Sequence, residues 1–295
     1  MKVLRCSRTL TKKVDRINRY GEIYFLGYCN CKCFYCIGKE ASATTRDEQI
    51  TMVTPPQDFK NFDRFLRILK EKEITTVYLS SIKTDPLLYR YLNEITDLLI
   101  SRGISVGIRT NGYLFWENID VFRKLNAEIS FSVQAFDEQK NKAICERDDI
   151  PDWQDIINWL RAEHKTCRFT MVLNRYNEGE LEKLLNLCAD NADVVDYVQG
   201  RILYKEYGDT DSADLQCFNN THNTVKLLCG EPYAYYGGAP SYWWKHDCNK
   251  ISVSFWSKPF EKDTIDSVNY FVTGQITTSC KIIPGKEEHV EEIIA

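Results

Sequence analysis

Six short runs rich in β-branched and aromatic residues alternate with amphipathic segments between about residues 22 and 204. The runs are Glu22 to Leu26, Thr75 to Ser80, Ile104 to Arg109, Glu128 to Gln134, Arg168 to Leu173 and Asp196 to Leu203. The intervening segments repeat apolar residues with a helical period, as at Leu92, Ile95 and Leu99. Repeated β-α units favour a parallel sheet with right-handed crossovers. Periodicity alone leaves open both a doubly wound sheet and a complete or partial barrel.

From about residue 205 this alternation stops, and aromatic and turn residues accumulate. The stretch CGEPYAYYGGAPSYWWKHDC precedes two more predicted strands, Ile251 to Trp256 and Ser267 to Val272. We therefore predict a basic N-terminal arm (1–20), a β-α domain (21–204) and a C-terminal extension (205–295). The aromatic stretch could form a lid, a stacking surface or a small satellite core.

Composition and charge restrict the partners, the compartment and the cysteine chemistry that we predict. Its 295 residues carry a net charge of -4, which gives no global preference for nucleic acid, and that partner is left open. Residues 1–20 lack the apolar stretch of a signal peptide, and no run of eighteen apolar residues follows, so we predict a cytoplasmic protein without membrane contact. The twelve cysteines then indicate metal binding, catalysis or burial rather than disulfides.

Four of these cysteines lie within residues 27–38, GYCNCKCFYCIG. The loop follows the first predicted strand, which puts it at the carboxyl edge of a parallel sheet, where active sites gather. Cys29, Cys33 and Cys36 have the spacing Cys-x3-Cys-x2-Cys. Three such thiolates can hold three irons of an iron-sulfur cube and leave one iron open. A structural zinc site would have to recruit distant cysteines.

The loop resembles the signature of the radical S-adenosylmethionine (SAM) enzymes, including Asn30 after the first cysteine and Tyr35 before the last. The resemblance implies an α/β fold, a partial (β/α)6 TIM-like barrel over residues 20–205. It also implies a [4Fe-4S] cluster on the three spaced cysteines, with Cys31 as a bystander.

In that family SAM binds the open iron and is cleaved by an electron from the reduced cluster to a 5'-deoxyadenosyl radical, which removes hydrogen from the substrate. The resemblance therefore implies a reducing partner such as flavodoxin or ferredoxin. The substrate is unidentified, and a peptide, a nucleotide or a small molecule all fit.

Further SAM contacts are expected at the loop and the strand ends, at Tyr35, Asp85, Ser132, Gln134, Asn174 and Arg201. Asp85 also lies in Thr-Asp-Pro, an ordinary helix start in which Thr84 or Asp85 is the N-cap. The third strand ends in RTNG, residues 109–112, which recurs in the family and equally suits a turn.

Two alternatives stay open. In the extension, Cys217, Cys229, Cys248 and Cys280 could bind an auxiliary iron-sulfur cluster, although their spacing does not reproduce a familiar pattern. The whole chain could instead be a non-catalytic β-α protein, a binding module with a structural zinc or iron-sulfur site. Zinc without sulfide would indicate the binding module, whereas iron with sulfide would indicate the enzyme.

Overall fold

The computed structural model describes residues 19–38, 45–203, 210–257 and 266–278. In these ranges the strands are β1 (Arg19–Phe25), β2 (Thr76–Ser81), β3 (Ser105–Thr110), β4 (Ile129–Ser132), β5 (Cys167–Leu173), β6 (Val195–Ile202), β7 (Ala234–Tyr236), β8 (Ala239–His246), β9 (Asn249–Trp256), β10 (Asp266–Phe271) and β11 (Ile276–Thr277). The helices are α1 (Arg46–Thr51), α2 (Phe62–Glu71), α3 (Leu92–Ser101), α4 (Ile119–Lys124), α5 (Glu138–Cys145), α6 (Trp153–Ala162), α7 (Glu180–Asp190) and α8 (Ser212–Cys229). Short 3-10 turns lie at Pro56–Asp58, Pro86–Leu88 and Trp116–Asn118.

All strands of the described residues belong to one sheet, in the order β11-β10-β1-β2-β3-β4-β5-β6-β9-β8-β7. The pairings from β10 through β1 to β6 and on to β9 are parallel, and the outermost strands pair antiparallel. The six predicted β-α strands are confirmed, with ends shifted by a few residues. Because the strand order is linear, the sheet is an open, partial barrel.

The C-terminal strands extend this same sheet at both edges. Strand β9 runs parallel to β6, with Gly200 opposite Phe255, and β10 runs parallel to β1, with Glu22 opposite Asn269. The sequence pattern predicted both strands but not their partners. Residues 1–18, most of the predicted basic arm, lie outside the described residues.

The aromatic stretch forms the β7-β8 hairpin at one edge of the sheet. Tyr242 and Trp244 are buried in the same apolar core as the β-α domain, so they do not form a satellite core. On the opposite face of β8, the rings of Tyr233 and Trp243 stack with centroids 4.5 Å apart. No helix among the described residues is long and apolar enough to cross a membrane.

One face of the central strands packs against the helices. Ile23 and Phe25 of β1 and Val77 and Leu79 of β2 are fully buried in that layer. Successive side chains of a strand point to opposite faces, so the alternate positions face the interior of the barrel. Those positions are largely polar.

Two ion pairs occupy the barrel interior. Arg109 Nη1 lies 2.7 Å from Glu22 Oε1, and Arg168 Nε lies 2.5 Å from Glu128 Oε1. The Tyr197 hydroxyl donates to the second oxygen of Glu128 at 2.7 Å. Burial raises the pKa of Glu128, but Arg168 and Tyr197 outweigh it and the pKa is lowered overall. The charges in the barrel interior are therefore compensated by ion-pair and hydrogen-bond partners within the protein rather than by bulk water.

We predict that Glu22→Leu lowers the free energy of unfolding by about 3 kcal/mol, because Arg109 would keep its charge without its carboxylate partner. The value is at the low end for a buried pair, since 27% of the Arg109 side chain is exposed. Urea unfolding measures the change, with the exposed Glu117→Leu as a control. Equal effects of the two substitutions would contradict this prediction.

Candidate functional site

The cysteine loop, residues 27–38, is docked on the end of α5. The backbone N–H of Lys32 donates to the carbonyl oxygen of Cys145 at 2.9 Å, and that of Phe34 donates to Ile144 at 3.0 Å. These strand-like bonds fix the middle of the loop. Cys33 lies between the two bonded residues, and the other three cysteines lie within three residues of them. The four thiols are therefore presented from an anchored backbone at the carboxyl edge of the sheet.

The segment after β2 holds the two ends of the loop. The Thr84 hydroxyl donates to the carbonyl oxygen of Tyr28 at 2.8 Å. At the other end, Gly38 lies so close to Ile82 that a Cβ would approach the Ile82 carbonyl oxygen to 2.2 Å. Cys36 Sγ lies 3.6 Å from that same oxygen. Glycine is therefore required at position 38 by the close approach of two backbones.

We predict that Gly38→Ala causes a several-fold loss of bound iron after anaerobic reconstitution, because the added methyl group would push the loop away from Ile82. Iron per chain is the measurement. Gly103→Ala is the control for general destabilisation, since Gly103 lies beyond the end of α3 in the left-handed conformation (φ 77°) that strains alanine, and an added Cβ there would have no atom within 4 Å. Iron retention equal to that of the control would show that the loop tolerates the displacement.

The four thiols of the loop differ in their surroundings. Cys29, Cys33 and Cys36 are half-buried, whereas Cys31 is buried. The pKa of Cys29 is lowered, chiefly because the Cys31 thiol and then the Cys31 backbone N–H hydrogen-bond to it, although burial opposes this. The pKa of Cys31 is raised, first by its thiol contact with Cys145 and next by that with Cys29. Contacts within the loop therefore shift the pKa values of these two thiols in opposite directions, with Cys29 shifted toward the thiolate form that ligates metals.

Two asparagines connect this loop to the end of β3. Asn111 Nδ2 donates to Asn30 Oδ1 at 2.8 Å and lies 3.5 Å from Cys31 Sγ and 3.9 Å from Cys29 Sγ. Asn111 Oδ1 accepts from the backbone N–H of Tyr113 at 3.2 Å, which fixes the orientation of the amide. Asn30 Nδ2 is buried and has no hydrogen-bond partner within the part of the chain that the structure describes.

Asp85 is the acceptor that places Asn111. Its carboxylate accepts from the backbone N–H of Leu87 at 3.0 Å and of Asn111 at 2.7 Å, and from the Thr110 hydroxyl at 2.8 and 3.0 Å. Asp85 is the N-cap of the turn Pro86–Leu88, as the helix-start interpretation predicted. Burial raises its pKa to about 6, although the bonds from Asn111, Leu87 and Thr110 oppose the rise. A SAM contact of Asp85 stays a prediction.

The pKa of Asp85 makes stability pH-dependent. Because its pKa rises from 3.8 to about 6 on folding, folding takes up a proton between these values, and the free energy of unfolding falls as pH rises through them. The stabilisation of the folded state from this proton uptake is present below about pH 4 and is lost as the pH rises above 6. It amounts to ~3 kcal/mol in the free energy of unfolding. In urea unfolding from pH 4 to 7, we expect the stability of Asp85→Asn relative to wild type to rise by this amount. A difference that does not vary with pH would contradict the prediction.

Two other predicted residues meet at the loop. The Tyr35 hydroxyl donates to Gln134 Oε1, a contact that joins the cysteine loop to the chain just after β4. Gln134 is buried, and Ser132, two residues earlier, is half-buried. Burial, followed by the charge of Cys33, raises the pKa of Tyr35, so its hydroxyl stays protonated and remains a donor.

The last two predicted SAM contacts have different surroundings. Asn174 is fully buried, its Nδ2 donates to the Val172 carbonyl oxygen at 2.9 Å, and its Oδ1 accepts from the Tyr176 N–H at 3.0 Å. Its amide is therefore used within its own turn. Burial lowers the pKa of Arg201 to about 10, and the positive charges of Arg168 and Arg109 add to the effect. Both SAM contacts stay predictions.

The auxiliary-cluster hypothesis conflicts with the geometry of α8. Cys217 and Cys229 lie on this one helix, and twelve residues of helical rise separate them by about 18 Å. They cannot both bind one cluster. Cys248 is exposed, and Cys280 lies outside the described residues.

The sequence analysis left RTNG either as a segment that recurs in the family or as a turn, and it did not predict that Asn111 contacts the cysteine loop. The available signal was its position directly after a predicted strand, because the carboxyl ends of parallel strands share one edge. It also missed Glu48, whose carboxylate lies 2.8 Å from Lys83 Nζ in a buried ion pair beneath the loop. No local pattern predicts that pair.

The residues of the loop fit an iron-sulfur cluster. In the described ranges, no three His, Cys, Asp or Glu side chains converge as the ligands of a single metal ion do. The thiolates of a cluster each bind a different iron, so they need not converge on one point. Three half-buried thiols on one loop match the three thiolate ligands of such a cluster. Beside Cys29, the buried Asn30 Nδ2, which has no hydrogen-bond partner among the described residues, is a donor available to the cluster or to a ligand sulfur.

Comparisons with known proteins show the family and the fold. Residues 23–188 match the family model of the radical SAM superfamily. The S-adenosyl-L-methionine-dependent tRNA 4-demethylwyosine synthase of Methanocaldococcus jannaschii is 26% identical over 123 residues, 40% of this chain and 37% of that protein. SuiB of Streptococcus suis bound to S-adenosylmethionine superposes with a TM-score of 0.62 at 16% identity, over 91% of this chain and 61% of SuiB.

SuiB bound to the precursor peptide SuiA gives a TM-score of 0.61 at 16% identity, over 89% of this chain and 59% of that one. At these identities the likeness shows the fold, a radical SAM partial barrel. The chain spans less than two thirds of the length of each of these relatives.

Proposed function

The chain belongs to the radical SAM superfamily, and we propose that it uses a [4Fe-4S] cluster and SAM to abstract hydrogen from a substrate, with Cys29, Cys33 and Cys36 as the cluster ligands. The observation that carries the proposal is the placement of these three thiols. They lie on one anchored loop at the carboxyl edge of the sheet, inside the segment that matches the family.

When bound, the cluster and SAM supply a one-electron cleavage that generates a 5'-deoxyadenosyl radical, a reaction beyond ordinary side chains. The residues of the chain position and shield it. The bonds of the loop to Ile144 and Cys145 fix the backbone that carries the thiols. Pre-organised ligands favour a reaction in which the reacting carbon must lie close to its partner.

Cys31 has no ligand role in this proposal. Its thiol packs against Cys145 in a small buried cluster with Ile144, on the α5 side of the loop.

Tyr35, Gln134 and Ser132 are the best-supported candidates for SAM contacts. Tyr35 and Gln134 are bonded to each other beside the thiols, and Ser132 ends the adjacent strand. Hydroxyl and amide groups can bond the ribose and adenine of SAM. Asp85, Asn174 and Arg201 are weaker candidates, since the Asp85 carboxylate already accepts from three donors and both ends of the Asn174 amide are bonded within its own turn.

A reducing protein such as flavodoxin or ferredoxin would supply the electron, and the substrate would be a peptide, a nucleotide or a small molecule. Family membership favours this enzyme over the non-catalytic binding module. An auxiliary cluster is not part of the proposal.

The test needs no substrate. After anaerobic reconstitution with iron and sulfide, we expect about four irons and four sulfides per chain. We also expect an electron paramagnetic resonance (EPR) signal of the reduced cluster that changes on adding SAM. Single Ala substitutions of Cys29, Cys33 and Cys36 should each abolish the SAM-dependent change, because each removes a thiolate ligand.

Cys31→Ala is the matched control from the same loop, and it should keep both the cluster and the response to SAM. Zinc without sulfide in the wild type would refute the proposal, and so would a well-formed cluster signal that SAM leaves unaltered. Loss of the cluster in Cys31→Ala alone would refute the ligand assignment.

A further inference from the structure

We propose that Asn111 is a positioning residue whose side-chain amide donates to the Cys29 sulfur and thereby raises the reduction potential of the cluster. The inference rests on the proposed function, since it needs Cys29 to be a cluster ligand. It concerns a residue that the family signature in the cysteine loop does not contain.

The orientation of the Asn111 amide is fixed from both sides. Its Oδ1 accepts from the Tyr113 N–H at 3.2 Å, so the Nδ2 group must face the cysteine loop. The backbone N–H of Asn111 is held at 2.7 Å by the buried carboxylate of Asp85. The Nδ2 position is therefore set by the fold of the β2 and β3 ends, independently of the cysteine loop.

The two hydrogens of Nδ2 have three acceptors in reach, namely Asn30 Oδ1 at 2.8 Å, Cys31 Sγ at 3.5 Å and Cys29 Sγ at 3.9 Å. Cys31 Sγ is the nearer sulfur, but Cys31 is not a cluster ligand in the proposed function, so a bond to it would not act on a ligand sulfur. A Cys29 sulfur that ligates iron is a charged acceptor, and hydrogen bonds to charged acceptors are shorter and stronger. One hydrogen of Nδ2 is directed to Asn30, and the other lies within reach of the Cys29 sulfur.

Reduction adds one electron to the cluster, so the reduced form carries more negative charge on its sulfurs. A donor near a ligand sulfur stabilises that form more than the oxidised form, and hydrogen bonds to sulfur are a recognised determinant of cluster potential. An easier reduction matters to this chain because the proposed reaction starts from the reduced cluster.

The test is a potentiometric titration of the reconstituted protein without SAM, with the reduced cluster followed by EPR. Asn111→Asp keeps the size and the acceptor for Tyr113 but removes the donor, and Asn111→Leu removes the donor without adding charge. We expect both to lower the ratio of reduced to oxidised cluster at a fixed potential by about threefold or more, which is about 28 mV for one electron.

Asn118→Leu is the matched control, because Asn118 donates its amide hydrogens to the carbonyl oxygens of Leu114 at 2.9 Å and Leu87 at 3.3 Å. It should leave the midpoint potential unchanged. Unchanged midpoints in both Asn111 variants would overturn the inference, as would an equal shift in Asn118→Leu. Loss of iron from both Asn111 variants would also overturn it, since Asn111 would then be a structural tie.

A wrong proposed function and a wrong role of Asn111 would give different results. If the wild-type protein binds no cluster, the proposed function itself is wrong. If the wild type binds a SAM-responsive cluster whose potential does not depend on Asn111, only the present inference is wrong.

Discussion

The buried carboxylate of Asp85 is the contact on which the rest of the site depends. It caps the turn after β2 and accepts from Thr110 and Asn111 at the end of β3, so one side chain joins two strand ends. Through Asn111 this tie reaches Asn30 in the cysteine loop. Burial keeps the pKa of the carboxylate high. This tie between two strand ends has an electrostatic cost, because the carboxylate is buried.

The loop itself is held by backbone contacts rather than by its thiols. Bonds to Ile144 and Cys145 fix its middle, and the close approach of Gly38 to Ile82 fixes its end. This arrangement leaves three thiols for ligation while the fourth, Cys31, packs against Cys145. A loop anchored through its backbone can present ligands without depending on them for its own shape, which is how functional loops are usually positioned by a rigid scaffold.

The C-terminal strands complete the sheet that the β-α units begin. The β-α alternation ends near residue 205, yet β9 and β10 join opposite edges of the same sheet. Edge strands expose unpaired backbone groups, and covering β1 and β6 with parallel partners satisfies those groups. In the described part of the chain, the aromatic hairpin then covers the outer edge of β9, and its buried residues Tyr242 and Trp244 belong to the common core.

The sequence by itself determined the six β-α strands, the two later strands, the N-cap at Asp85 and the family, because periodicity, turn chemistry and the cysteine spacing are local properties. Only the tertiary structure decided that Asn111 contacts the cysteine loop, that Tyr35 bonds Gln134 across 99 positions, and that Cys31 packs against Cys145. It also separated Cys217 from Cys229 along one helix. These contacts depend on strand register and on which strands become neighbours, and no short stretch of sequence encodes either.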